Sequence, residues 1–163
     1  MTSFLFRAGS GNAGDVTRDL KTTVESAFLS DTNAPTYFGE PVKMVSGKLQ
    51  AIESGDAADV FFGILSRSVP TIAGTIAETF GAAVPNPDSV NGVIVQGYCN
   101  VIAAQGTPVR AEPVYLRIAV DTGKAIGDLE TASIPGENVL LVGVTWGVSG
   151  KDADNITEIR IEG

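Results

Sequence analysis

VLLVGVTWGV, residues 139–148, sets Leu140, Val142, Val144, Trp146 and Val148 at every second position, with Gly143, Thr145 and Gly147 between them. A period of two is that of a strand with one buried face, whereas a helix repeats its apolar positions every three or four residues. The pattern recurs on both sides. In VYLRIAV (114–120), Val114, Leu116, Ile118 and Val120 share a face, and Tyr115 and Arg117 take the other. NITEIRIE (155–162) turns Thr157, Ile159 and Ile161 inward and Glu158, Arg160 and Glu162 outward, with SGKDADN as the preceding turn.

Upstream, GVIVQGYCNVIA (92–103) is the longest strand candidate, and Gly97 in its middle marks a bulge or bend. VFFGILSRS (60–68) follows the polar ESGDAAD. VKMV and LQAI flank Ser46-Gly47, a hairpin join. At least six strands joined by short polar loops predict an all-β fold, a small antiparallel β-sandwich or barrel over residues 41–163.

Two regions depart from this pattern. In 70–91, Ile72, Ala73, Ile76, Ala77 and Phe80 recur at helical spacing, but Gly74, Gly81 and Pro85 interrupt them. The expectation there is one long loop with a helical turn or two. In 1–40, Val16, Leu20, Val24 and Phe28 could line a helix, yet Thr17, Thr22 and Thr23 disfavour it, so the segment reads as an extended N-terminal arm.

The chain has 163 residues, 44% of them hydrophobic and 18% charged, which suits one domain with a real core. Its net charge of -8, with basic residues scattered singly, opposes a polyphosphate partner, so no nucleic acid is expected. Apolar runs fall far short of the roughly 20 residues of a membrane span, and the leading residues lack the pattern of a secretory signal. The expectation is a soluble protein made inside a cell, with no membrane partner.

The chemical inventory is nearly empty. Histidine is absent and Cys99 is the only cysteine, so the usual zinc sites, Ser-His-Asp and Cys-His triads and an internal disulfide are all excluded. GSGNAG (9–14) spells a dinucleotide-binding turn, but no strand–helix–strand unit surrounds it, and its glycines read as a limber linker. Asp152, Asp154 and Asn155 suggest calcium, yet the sixth position from Asp152 is Thr157 and the twelfth is Gly163, where an EF-type loop needs Gly and Glu. Glu53, Asp56 and Asp59 read as a solvated turn rather than a carboxylate pair for hydrolysis. No Gly-Lys pair completes a phosphate loop. No catalytic, cofactor-binding or metal site is expected, and the chain is not read as an enzyme.

Gly14-Asp15-Val16-Thr17-Arg18, Thr22-Thr23-Val24-Glu25 and Tyr37-Phe38-Gly39 with Pro41-Val42 resemble the opening of the structural cement (capsid decoration) proteins of tailed bacteriophages. The similarity continues through Gly55-Asp56-Ala57-Ala58, Phe62-Gly63-Ile64-Leu65-Ser66-Arg67, Gly97-Tyr98 and Pro113-Val114-Tyr115-Leu116-Arg117. It implies a β-rich body on the outer face of a phage head. The implied partners are the major capsid protein and neighbouring cement subunits, in a dimer or trimer.

On that reading the arm residues Asp15, Val16, Thr17, Arg18, Val24 and Phe28 contact the capsid or a neighbour, with Val16, Val24 and Phe28 as apolar anchors and Arg18 as an ion-pair partner. Phe61, Phe62 and Trp146 are candidate oligomer contacts or, alternatively, plain core. The implied function is to bridge capsomers and stabilise the expanded shell. The competing reading is a carbohydrate-binding or adhesin module of a phage tail or bacterial surface, whose signature would be a cleft lined by Trp146 and Tyr98.

Overall fold

The structure, a computed structural model, describes residues 11–18, 21–67 and 84–163. Nine strands carry it: β1 (Thr23–Leu29), β2 (Pro41–Val45), β3 (Lys48–Ala51), β4 (Phe61–Leu65), β5 (Val90–Gln105), β6 (Pro113–Arg117), β7 (Leu129–Glu130), β8 (Asn138–Trp146) and β9 (Ile156–Ile161). No α-helix occurs among the described residues, and a 3-10 turn, Ala58–Val60, precedes β4. The all-β reading holds. Within the stretch 1–40, residues 23–29 form β1, paired with β5 and β3. Residues 70–83 of the expected 70–91 loop lie outside the described residues.

The pairings close two rings. One runs β1-β3-β2-β4-β5 and returns to β1; the other runs β5-β7-β6-β8-β9 and returns to β5. The 16-residue β5 belongs to both. A ring of five strands cannot alternate direction at every junction, so each needs at least one parallel pair. β1–β3 supplies it in the first ring and β5–β7 in the second, and every other pair is antiparallel.

Each ring has its own apolar interior. Leu29, Phe38, Val42, Leu49, Leu65 and Val93 fill the first. Cys99, Val101, Leu116, Leu141, Trp146 and Ile159 are part of the second cluster, which extends through Ile64 and Ile94 towards the first ring. Burial of this kind contributes roughly 25 cal/mol per Å² of apolar surface and is the main stabilising term in a chain without a disulfide. The Ser46-Gly47 join is a two-residue turn with φ of 50° and 80°, the left-handed pair that matches strand twist. Gly97 takes φ 116°, and there β5 passes from pairing with β1 to pairing with β9.

Two sequence expectations need correction. Leu140 and Val142 do not join Val144 and Trp146 on the buried face: Val142 is 87% exposed, while Leu141 is buried. Gly143, at φ 76°, lies in a bulge, since Tyr115 pairs with Leu140 but Pro113 pairs with Thr145. The extra residues on β8 flip the inward parity. Arg117, expected outward, is fully buried. Its Nε donates to Glu130 at 2.8 Å and its Nη1 to Glu137 at 2.9 Å, and Asn138 Nδ2 donates to the other Glu130 oxygen at 2.5 Å. A guanidinium leaves water only where carboxylates meet it.

Candidate interaction surface

Residues 14–18 lie against β5 of their own chain. Gly14 N–H donates to Asn100 O at 2.8 Å, Asn100 N–H donates to Asp15 O at 2.9 Å, and Thr17 N–H donates to Tyr98 O at 3.1 Å, so Val16 bridges Cys99 in antiparallel fashion. Gly14 O also accepts Arg67 N–H at 2.9 Å, which ties the second ring to the end of β4. Gly14 thus serves as a close backbone crossing, not as a phosphate cradle. Gly9, the first glycine of GSGNAG, lies outside the described residues.

Arg18 follows directly. Its guanidinium stacks 4.0 Å above the Tyr98 ring centroid and pairs with Glu158 at 2.7 Å, while Thr17 Oγ1 donates to the same carboxylate at 2.5 Å. Arg18 thus has an ion-pair partner within the chain, and its side chain remains 45% exposed. Val16 packs partly buried on the core. Cys99 beneath it is sealed, and burial pushes its thiol far above the usual range, which removes it from thiolate chemistry.

Val24 and Phe28 point out from β1. Phe28 is in register with Val90 on β5 and Lys48 on β3, and Lys48 is in register with Val45 on β2. The result is one row across four strands, Val45, Lys48, Phe28 and Val90, with its three apolar members 39–57% exposed. Lys48 sits between Asp88 at 3.2 Å and Asp31 at 3.7 Å, and hydrogen bonding to Asp88 holds its ammonium above the usual value. Sequence reasoning found Phe28 but missed this row. Its members come from four separate segments, and only the alternation within TVESAFL could have hinted at it.

Phe61 and Phe62 are half-buried beside Met44 and Val45. Trp146, named with them, is 1% exposed inside the second ring and offers no surface. The Trp146–Tyr98 cleft that a sugar-binding module would need does not form. Among the described residues no group of three or more His, Cys, Asp or Glu side chains could hold a metal ion, and no helix is long and apolar enough to cross a membrane.

The body consists of two strand rings that share β5, with an exposed apolar row on the first of them. The family model described as XM1 gp53 minor capsid protein matches residues 1–161, and the chain belongs to that family. It is a capsid protein of the phage type, as the resemblance implied. No curated protein matches it. The fold is similar to a chain of the solved structure "The capsid of Myoviridae Phage XM1", with a TM-score of 0.72 at 20% identity over 98% of this chain and 95% of that one.

Proposed function

We propose that this minor capsid protein is a cement protein: it binds the outer surface of the phage head, bridges adjacent capsomers and stabilises the expanded shell. The observation that carries the reading is the exposed Val45–Phe28–Val90 row on a body whose family is capsid-bound. Exposed apolar side chains aligned in one row, with Lys48 between Val45 and Phe28, mark a contact site. A ligand that binds the expanded lattice and not the disrupted one stabilises it by mass action, multiplied over the repeated positions of a shell. The net charge of -8 favours the outer face over the side that meets packaged DNA. The partners are the major capsid protein and neighbouring copies, and the place of action is the virion.

Removing residues 1–30 would delete β1 and open the first ring, so a surface substitution is the sharper test. Co-sedimentation with expanded empty heads is expected to retain the wild-type chain and to lose most of Phe28→Asp. Equal retention of both would remove the row from the mechanism, and no retention of either would end the cement reading.

A further inference from the structure

Lys43 lies on β2 in register with Phe61, the first residue of β4, and its side chain is 7% exposed. Among the described residues no other lysine is buried. It lines a recess together with Met44, Val60, Phe61 and Phe62. Its Nζ donates to Asp56 Oδ2 at 2.8 Å and to Glu53 Oε2 at 2.7 Å. Asp56 is held from a second side, because the Glu53 backbone N–H donates to the same Oδ2 at 2.8 Å. The turn that carries both acids is itself anchored: Gly55 N–H donates to Ile118 O, just beyond β6, at 3.0 Å.

We infer that Lys43 and Asp56 condense into an isopeptide bond, with Glu53 as the proton carrier. Nζ attacks Asp56 Cγ, so that the Nζ–Cγ bond forms and the Cγ–Oδ1 bond breaks. Two of the three ammonium protons leave Nζ: Glu53 takes one and returns it to Oδ1, the other passes to Oδ1 as well, and Oδ1 departs as water. Oδ2 stays as the amide carbonyl, and the Glu53 N–H already faces the charge that develops on it during attack. One positive and one negative charge cancel, and no oxidant, cofactor or second protein takes part.

Two effects favour the product. An ion pair with a buried lysine bears the desolvation of its charges, and the neutral amide removes that cost. The fold also holds amine and carboxyl in contact, which is worth an effective molarity of about 10⁵–10⁸ M and outweighs the excess of water that otherwise drives hydrolysis. The rate is another matter. Burial pulls the Lys43 ammonium down, but hydrogen bonds to Asp56 and Glu53 raise it further, so the groups rest as ions and the bond forms slowly after folding. Once formed, it staples β2 of the first ring to a turn anchored on the second. This goes beyond the cement reading and does not depend on it.

Purified full-length protein, aged to constant mass and then denatured, is weighed by mass spectrometry and digested with trypsin. The chain is expected to be lighter by one water. Trypsin should fail to cut after Lys43 and should release one branched peptide that joins the segments around residues 43 and 56. Lys43→Arg keeps the positive charge and both ion pairs but cannot form the amide, and it should keep its full mass. Glu53→Gln should approach constant mass about a hundredfold more slowly, the usual loss when a positioned proton carrier is removed. Aged wild-type protein at full mass, cut normally after Lys43, would overturn the inference. So would a missing water that persists in Lys43→Arg, since the loss would then lie elsewhere in the chain.

Discussion

Gly14 and Gly39 meet backbone to backbone: a Cβ on Gly14 would lie 2.9 Å from Gly39 N, and one on Gly39 would lie 2.7 Å from Gly14 N. Both residues have left-handed φ, 85° and 87°, so glycine is required twice over, by conformation and by space. The contact fastens the leading segment to the corner where β4 ends and β2 begins, since Gly39 N–H donates to Leu65 O at 2.8 Å.

Gly14→Ala should therefore destabilise the whole chain. A left-handed non-glycine residue costs about 1–2 kcal/mol, and the clash is with backbone atoms that cannot rotate away. For a domain of this size about 2 kcal/mol corresponds to a fall in Tm of roughly 4–8 °C. Calorimetry reads it directly. Gly47→Ala is the control, because its positive φ carries the same strain while nothing lies within 4 Å of the added Cβ; the loss there should be smaller.

Arg18 and Glu158 form a contact 140 residues apart in sequence, with Tyr98 beneath the guanidinium. Glu158→Gln should loosen residues 15–18 without unfolding the sheet. Arg18 is 45% exposed in its side chain, so the pair contributes only about 0.5–1 kcal/mol. Limited digestion with trypsin should cut after Arg18 faster in Glu158→Gln than in wild type, while the remaining sites keep their rates. Unchanged cutting at Arg18 would mean that the backbone bonds to Tyr98 and Asn100 hold the segment by themselves.

What the sequence made legible follows from whether side-chain parity survives along a strand. β9 has no bulge, and Thr157, Ile159 and Ile161 are buried as their alternation predicted, whereas Glu158, expected outward, is buried beneath Thr17 and Arg18. β8 has one, at a glycine with positive φ, and parity read straight through Gly143 put Leu140 and Val142 on the wrong face. The ring closures were not legible, because the parallel pairs β1–β3 and β5–β7 join segments that no local signal links. For the surface, Phe28 was found by its apolar character. Its row partners Val45 and Val90 were not, since register between distant strands is a property of the closed ring.

Glu40 gives the chain a pH signature. Its carboxylate is buried, and this burial raises its pKa above 4.5, opposed by hydrogen bonds from Thr36 and Tyr37. Burial also raises the neighbouring Tyr37 phenol, with the Glu40 and Asp128 carboxylates adding to the shift. A carboxyl with a raised folded-state pKa binds its proton more tightly folded than unfolded. Its contribution is fully present below the unfolded value and is lost as pH rises through the folded one. Glu40→Gln should therefore gain stability relative to wild type as pH climbs from about 4.5 towards neutrality, as urea unfolding at several pH values would show. A constant difference between the two proteins across that range would remove Glu40 as the source.

Among the described residues, Arg117 and Glu130 are the most deeply buried ion pair, with side chains 0% and 1% exposed, and Arg117 Nη2 has no hydrogen-bond partner. Two outcomes separate a pair that stabilises from one that is merely tolerated. Arg117→Ala leaves Glu130 charged in the core, with Asn138 as its remaining hydrogen-bond donor, and should cost about 3–5 kcal/mol. Arg117→Met with Glu130→Gln removes both charges while keeping an acceptor for Asn138, and should cost less than the single change. The physical reason is that the desolvation of two ions disappears along with their attraction, whereas the single change keeps the desolvation of one and loses all of the attraction. A denaturant double-mutant cycle measures the difference. If the double variant were as unstable as the sum of its parts, the pair would not act as a unit, and Glu137, bonded to Nη1, would be the partner that holds Arg117 inside.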